Sequence, residues 1–513
     1  MKKFNRTFLK FSFVLPIIIG TILPRFFVLG GYPGTDEGYY LFQAQIFSNN
    51  IEGNYLSDSR IYLYPYLIHW IFDFQLNPFL ATRVLDCLFA SIATFIFYKI
   101  ILFESKSILA AVIITTILFF LLNQPLFIGN GFKNSIFIAM IPLFSSLWCA
   151  LVLPDKEFPY KWFLIGFLIT LAIFLRESFA LYMLLGGISV LISFGFKKFN
   201  IFLIGIIVTV TSFLAFIFFE RGELVPLFNE YLINQPQIFS AIYSKSILYN
   251  FLINGPISFY EGLPLIILGF FGFLLFIYNR IKKISITNPY KIIFWIMLSI
   301  IPLCEPIFKI GLPYHFSICF IGIAGLVAVC WREASRRNYI LYKYFIFLIL
   351  CFLLFTRFSL FQQNIYQTNE VLKNFQSYTF PNTFNENSLY LLAAEKVKKI
   401  TPIEGTLSIS GFMHSIYPLS GLLPPQRGLI DLTATFIRSN FSISTLINTI
   451  KICPSNTILI SNKSKNFYGN ELVEAIRGTN IYKELGEVPK SNKGTNFQIL
   501  IFQLKDNNYE CKL

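Results

Sequence analysis

Charge is what this sequence has least of. Only 13% of its 513 residues are Asp, Glu, Lys or Arg, against 55% hydrophobic, and its mean hydropathy is +0.62. That balance excludes an ordinary soluble domain, whose surface needs roughly twice that charged fraction. Acids are scarcer than bases, 27 against 42, giving a formal charge of +15. The bases sit in short clusters between apolar runs and not on a solvent-facing domain, so no nucleic-acid partner is expected. The eight cysteines lack metal-ligand spacing. Cys87, Cys149, Cys304, Cys319, Cys330 and Cys351 lie in or beside apolar runs and read as small hydrophobes. Cys453 and Cys511 lie in a polar tail, where they pair if that tail occupies an oxidising compartment. The chain also has no internal repeat, and its tail has no glycine-rich phosphate loop and no nucleophile elbow.

Present in abundance are 61 phenylalanines and 27 tyrosines, which suit acyl chains and interfacial aromatic belts. Met1-Lys2-Lys3-Phe4-Asn5-Arg6 resembles a signal-peptide start, but the apolar run that follows is too long and has no small-residue cleavage site, so it reads as a retained span. Eleven spans are predicted, near 11–29, 78–102, 107–122, 135–153, 162–175, 178–196, 200–219, 262–279, 290–304, 313–331 and 339–356. Residues 162–196 also read as one broken hairpin.

Alternate loops carry the bases: Lys2, Lys3, Arg6 and Lys10, then Lys99 and Lys106, Lys156 and Lys161, Lys197 and Lys198, Arg280, Lys282 and Lys283, and Arg332, Arg336 and Arg337. The positive-inside rule then puts the N-terminus in the cytoplasm, and an odd span count puts the tail outside.

The predicted fold class is a polytopic α-helical membrane protein with a small C-terminal α/β extracytoplasmic domain. Residues 1–360 form the membrane domain, with a first outer loop at 31–77, and residues 361–513 form the outer domain. In that tail, helices are expected at Ser388–Ile400, Ser442–Lys451 and Glu471–Arg477. Strands are expected at Thr406–Ser410, Thr457–Ser461, Tyr482–Val488 and Phe497–Leu504, an alternation typical of a small α/β domain. Within the first outer loop, Tyr39–Phe47 and Tyr62–Phe74 read as amphipathic helices lying along the membrane surface. His69 and Asp73 share a face there as an incomplete metal pair or a polar stripe. The loop from Glu220 to Glu261 reads as a polar connector able to cap a cavity.

Charged residues hug the outer boundary: Arg25, Asp36, Glu37, Arg83, Asp86, Arg176, Glu177, Glu220, Arg221, Glu223, Glu305 and Lys309. A transporter is expected to hold polar groups near mid-membrane, and the runs have almost none there. The centre of interest is Gly31-Tyr32-Pro33-Gly34-Thr35-Asp36-Glu37-Gly38-Tyr39-Tyr40. In one reading Thr35 caps a helix whose first turn favours the two acids through the helix dipole. In the other, the acids serve group transfer to a sugar acceptor. Asp36 takes a proton from the acceptor hydroxyl; alternatively Glu37, or both acids, bind a divalent metal ion. Arg83, Arg176, Lys309 and His315 are the candidate clamp on a donor phosphate. Arg83 and Asp86 alternatively pair with each other at i, i+3, Arg176-Glu177 is alternatively a local polar turn, and His315 an interfacial histidine.

The order of these motifs resembles the GT-C superfamily of membrane glycosyltransferases, in the branch of protein O-mannosyltransferases and the lipid A aminoarabinose transferase. Thr35-Asp36-Glu37-Gly38-Tyr39-Tyr40 with Ala44 matches that branch's early Asp-Glu pair. Leu63-Tyr64-Pro65-Tyr66-Leu67 is similar to its proline-aromatic stretch, with one proline where two are common, and Ala81-Thr82-Arg83-Val84-Leu85 to its arginine in the second span. Gly166 to Leu175 followed by Arg176-Glu177 resembles a glycine-rich run ending in a base, with Ala172 for the second glycine. Lys309 and Pro313-Tyr314-His315 match a later basic-tyrosine segment loosely. The resemblance implies inverting transfer of a sugar from a polyprenyl-phosphate carrier to a lipid, glycan or protein acceptor at the outer face of the membrane, with Asp36 as the catalytic carboxylate, acting as base or as metal-assisted positioner. Usage of Phe, Ile, Asn and Lys suggests a bacterial source, hence the cytoplasmic membrane. The competing classes are a transporter or flippase of a lipid-linked saccharide, and a non-catalytic scaffold that tolerates neutralised acids.

Overall fold

The long apolar runs become helices because, in lipid, each backbone polar group must be satisfied within its own segment. The computed structural model describes residues 11–29, 33–49, 63–74, 77–124, 127, 135–154, 158–221, 247–283, 285, 288–305, 313–336, 340–357, 386–426, 429–461, 468–488 and 498–506. The protein is mostly helical. A π-helical turn, Pro16–Ile22, leads into α1 (Leu23–Val28), followed by α2 (Thr35–Ser48), α3 (Leu63–Ile68), α4 (Pro78–Ser105), α5 (Ile108–Leu122), α6 (Ser135–Val152), α7 (Lys161–Leu175), α8 (Ala180–Phe194) and α9 (Phe196–Arg221). Next come α10 (Ile247–Ile281), α11 (Pro289–Ile300), the short α12 (Pro313–Phe316), α13 (Cys319–Arg336) and α14 (Ile340–Arg357).

Eleven spans are not found. Among the described residues, six helices are long and apolar enough to cross a membrane: Pro78–Ser105, Ser135–Val152, Glu177–Phe194, Phe196–Phe219, Phe251–Ile281 and Tyr314–Ser335. Pro16–Phe27, Ile108–Leu122, Lys161–Leu175 and Pro289–Leu303 are apolar but shorter. A helix of about 15 residues covers roughly 22 Å, less than a bilayer core of about 30 Å. The apolar runs were located correctly, but run length does not reveal where a helix stops. The run ending at Leu175 stops because Arg176 turns to extended backbone (φ −158°, ψ 111°). Close helix approach uses glycine: a Cβ on Gly166 would lie 2.1 Å from the Phe202 carbonyl oxygen, and one on Gly205 2.2 Å from that of Phe163. Gly166 thus serves the packing of α7 on α9.

The C-terminal part contains α15 (Glu386–Ile400), β1 (Leu407–Ser410), α16 (Ile416–Ser420), α17 (Leu432–Arg438), α18 (Ile443–Ile452), β2 (Thr457–Ser461), α19 (Gly469–Thr479), β3 (Tyr482–Glu487) and β4 (Ile499–Leu504). The sheet order is β1-β2-β4-β3, with β1 and β2 parallel and the other two pairings antiparallel. β1 and β2 are buried on both faces, as strands covered by helices must be. One face packs α18 and α19 through Leu446, Ile450, Leu472 and Ile476. The other packs α15 and α16, and also Phe42 and Ile46 of α2.

That second packing corrects a sequence expectation. Helix α2 does not lie open on a membrane surface. Leu41 and Ala44 join the core of the helical part, while Phe42, Ile46 and Phe47 join the core of the C-terminal part. Even Gln43 is fully buried. Helical periodicity reports one apolar face and cannot report a neighbour, several hundred residues away, that covers the other. The Tyr62–Phe74 stretch becomes α3 and a 3-10 turn, His69–Asp73. There Ser48 Oγ donates to Asp73 Oδ1 at 3.1 Å, which suits a polar stripe. Cys453 is disulfide-bonded, and Cys511, the partner expected from sequence, lies outside the described residues. Most of the Glu220–Glu261 loop also lies outside them.

Candidate active site

The N-cap of helix α2 is Gly34, not Thr35, and the first turn carries Asp36 and Glu37, where the N-terminal end of the dipole favours acids. Neighbouring residues on a helix project about 100° apart. Asp36 is consequently exposed while Glu37 is 1% exposed. Arg83 on α4 forks Glu37, donating from Nε to Oε1 at 2.7 Å and from Nη2 to Oε2 at 2.8 Å. Its remaining nitrogen, Nη1, donates to the Leu29 carbonyl at 2.7 Å. A bidentate, desolvated pair of this kind fixes geometry as well as charge.

Arg83 and Asp86 therefore do not pair with each other, although they sit at i, i+3. Asp86 receives Arg25 Nη1 instead, and Arg25 Nε donates to Asn123 Oδ1 at 2.6 Å. The Arg25 guanidinium also lies 4.3 Å from the Phe137 ring centre. Helix α4 is started by Pro78 behind Asn77, whose side chain accepts from the Phe79 and Leu80 amides. Through two ion pairs, to Arg25 and to Glu37, it ties α1 and α2 to its N-terminal end. Both oxygens of Glu37 accept from Arg83. Among the described residues no group of three His, Cys, Asp or Glu is placed to hold a metal.

Arg176 is a different kind of arginine. It stands at the corner between α7 and the Glu177–Phe179 turn, 6% exposed. Its Nη1 reaches Ser135 Oγ at 3.5 Å, and Ser135 Oγ reaches Tyr40 Oη at 3.4 Å. Its Nε has no hydrogen-bond partner among the described residues. Its guanidinium carbon lies 5.9 Å from the Tyr314 ring centre. Burial works against its charge, but Glu305, Tyr40 and Glu177 outweigh that and hold its pKa above the ordinary arginine value. Burial pushes the Tyr40 phenol up to about 12; Arg176 pulls it back, and Asp36 and Glu177 push it further up. Tyr40 thus keeps its proton at neutral pH and remains a donor.

No protein-family model and no curated protein matches this sequence. Asp36, Arg176, Glu305 and Tyr40 all lie within electrostatic reach of Tyr314. Ser178 Oγ donates to Glu305, and His315 Nε2 lies 3.9 Å from Glu305 Oε1, with its ring 4.2 Å from that of Tyr314. Three helix breaks and one helix start thus converge: the Arg176 corner, the end of the 3-10 turn Ile301–Leu303, the short α12, and the first turn of α2.

Of the residues singled out in the sequence, Asp36, Arg176 and His315 share this neighbourhood. Glu37 and Arg83 lie behind it and are committed to each other. Lys309 lies outside the described residues. Tyr40, Ser135, Ser178 and Glu305 were not singled out as site residues, although Glu305 belonged to the outer charges. The C-terminal part also closes on this place. Ser415 Oγ donates to the Gly34 carbonyl at 2.8 Å, and the His414 ring stands edge-on to Tyr39 at 5.0 Å. A Cβ on Gly38 would lie 2.0 Å from Ser415 Oγ, so glycine is required there. No local sequence signal could have found His414 or Ser415.

Proposed function

We propose that this chain is a GT-C-like membrane glycosyltransferase. In this reading it transfers a sugar, with inversion, from a polyprenyl-phosphate carrier to a lipid, glycan or protein acceptor. The work is done at the outer face of a bacterial cytoplasmic membrane, with the N-terminus inside and the C-terminal domain outside. The disulfide at Cys453 supports an oxidising compartment for that domain.

The observation that carries the reading is the division of labour within the acid pair. Glu37 is neutralised and locked, while Asp36, on the same turn, stays exposed and faces a set of phenols and an under-coordinated arginine. In the proposed step Asp36 accepts the proton of the acceptor hydroxyl. The acceptor oxygen bonds to the anomeric carbon as that carbon's bond to the phosphate oxygen breaks, and the bonding electron pair leaves with the phosphate. Arg176 offsets the charge that develops there, and the phenols of Tyr40 and Tyr314 supply hydrogen-bond donors. The Glu37–Arg83 pair acts as a positioning element that holds the first turn of α2.

The test incubates purified protein with labelled polyprenyl-phosphate sugars and membrane extract as acceptor source. Wild-type protein is expected to consume a donor and label an acceptor, and Asp36→Asn to lose about 10²-fold or more of that rate with its fold intact. Equal activity of the two proteins reduces Asp36 to a helix-start acid and overturns the assignment.

A further inference from the structure

At the opposite end of α4 from the acid pair, an open groove of about 880 Å³ lies between the last turns of α4, the start of α5 and the end of α6. Its walls are apolar, with Phe95, Leu102, Trp148 and Val152 among them, and Lys99 and Lys106 stand on its rim. Lys99 lies in the last turns of α4 and Lys106 is its C-cap, so the groove's two lysines stand at one end of that helix. Both are exposed. Lys106 takes a left-handed conformation (φ 54°) just where α4 ends. The two ammonium groups lie near aromatic rings, at 5.2 Å from Phe95 for Lys99 and 3.9 Å from Phe103 for Lys106.

Their charge is not cancelled locally. Glu104, the neighbouring carboxylate, is 1% exposed and receives Lys291 Nζ on both oxygens at 3.0 Å. Neither rim lysine has a carboxylate partner among the described residues. A groove with greasy walls, two unneutralised cations and a place at the end of a membrane-crossing helix matches one chemistry: an acyl chain attached to a negatively charged headgroup.

We propose that this groove is a binding site for an anionic membrane phospholipid. The acyl chain lies along Phe95, Leu102 and Trp148, and the headgroup phosphate is held by Lys99 and Lys106. The site lies about 24 Å along α4 from Arg83, taking 1.5 Å per residue. It does not depend on the proposed transfer reaction.

Trp148 makes the test direct. The full-length protein in detergent micelles is titrated with brominated phosphatidylglycerol and, separately, with brominated phosphatidylcholine. The quenching owed to Trp148 is the difference between wild type and Trp148→Phe. Phosphatidylglycerol is expected to quench that component at lower mole fraction, by about fivefold per lysine engaged. The preference should vanish in Lys99→Gln/Lys106→Gln and, in unaltered protein, shrink as salt rises. Equal quenching by the two lipids would mean ordinary annular contact and overturn the proposal. So would a preference that survives the double substitution, or one in wild-type protein that ignores salt, a readout that holds even if the variant fails to fold.

Discussion

Arg83 and Arg176 are both buried in the helical part, and their surroundings are opposite. Arg83 is saturated, with two bonds to Glu37 and one to a backbone carbonyl, all at 2.7–2.8 Å. Arg176 has a single long bond to a hydroxyl, an aromatic face and an unpartnered Nε among the described residues. A saturated guanidinium can only hold its partners in place. One kept charged, but with donors unspent, retains capacity for an anion. Glu37 and Asp36 differ in exposure: Glu37 is buried against Arg83, while Asp36 on the same turn is exposed.

The sharpest way to break this comparison is to remove each arginine. Arg83→Ala strands the Glu37 carboxylate in a dry site and is expected to cost about 3–5 kcal/mol of stability. Arg176→Ala is expected to leave thermal unfolding in detergent nearer to wild type while weakening donor use. Equal losses of stability would mean that Arg176, too, is structural.

A second test sharpens it with a carboxylate that has backbone amides, and no cation among the described residues, as its partners. Asp431 is buried, and its oxygens accept from the backbone amides of Phe412 at 2.7 Å and Thr433 at 2.9 Å. Burial outweighs those amides and raises its pKa from 3.8 to about 6. Between these values the folded chain holds a proton that the unfolded chain has released. Stability should therefore be greatest at the acid end of the window and fall as pH rises from about 4 to 6. The full effect is on the order of 3 kcal/mol. Unfolding measured across that range should lose this slope in Asp431→Asn; an unchanged slope would assign it to other groups.

The smallest effect concerns the contact between the two parts. Ser415→Ala removes the bond to the Gly34 carbonyl and is expected to cost about 1 kcal/mol. A larger loss in transfer rate than in stability would show that this contact serves the first turn of α2 beyond simple cohesion.

Much of the C-terminal part was legible in the sequence. The strand at Thr457–Ser461 was read to the residue, because the β-branched and apolar Ile458-Leu459-Ile460 lies between polar turn formers and is too short for a helix. The helices α16 and α17 were missed, being five and seven residues long with no sustained periodicity. The membrane part was legible as apolar runs and not as a span count. The site was half legible. Asp36 and Arg176 announced themselves as charges beside apolar runs. Which acid would be buried depended on Arg83, 46 positions away, and nothing local to the pair encodes that.

The hydrogen bond between Ser415 and Gly34 joins residues 381 positions apart. At a synthesis rate of about 5–20 residues per second, the ribosome needs on the order of 20–75 s to make the second partner after the first. During that interval the acid-bearing helix stands without the wall that later encloses it. A chain released early would carry every charged residue of the mouth and still lack a finished one, so biosynthesis itself orders the steps: insertion first, closure last.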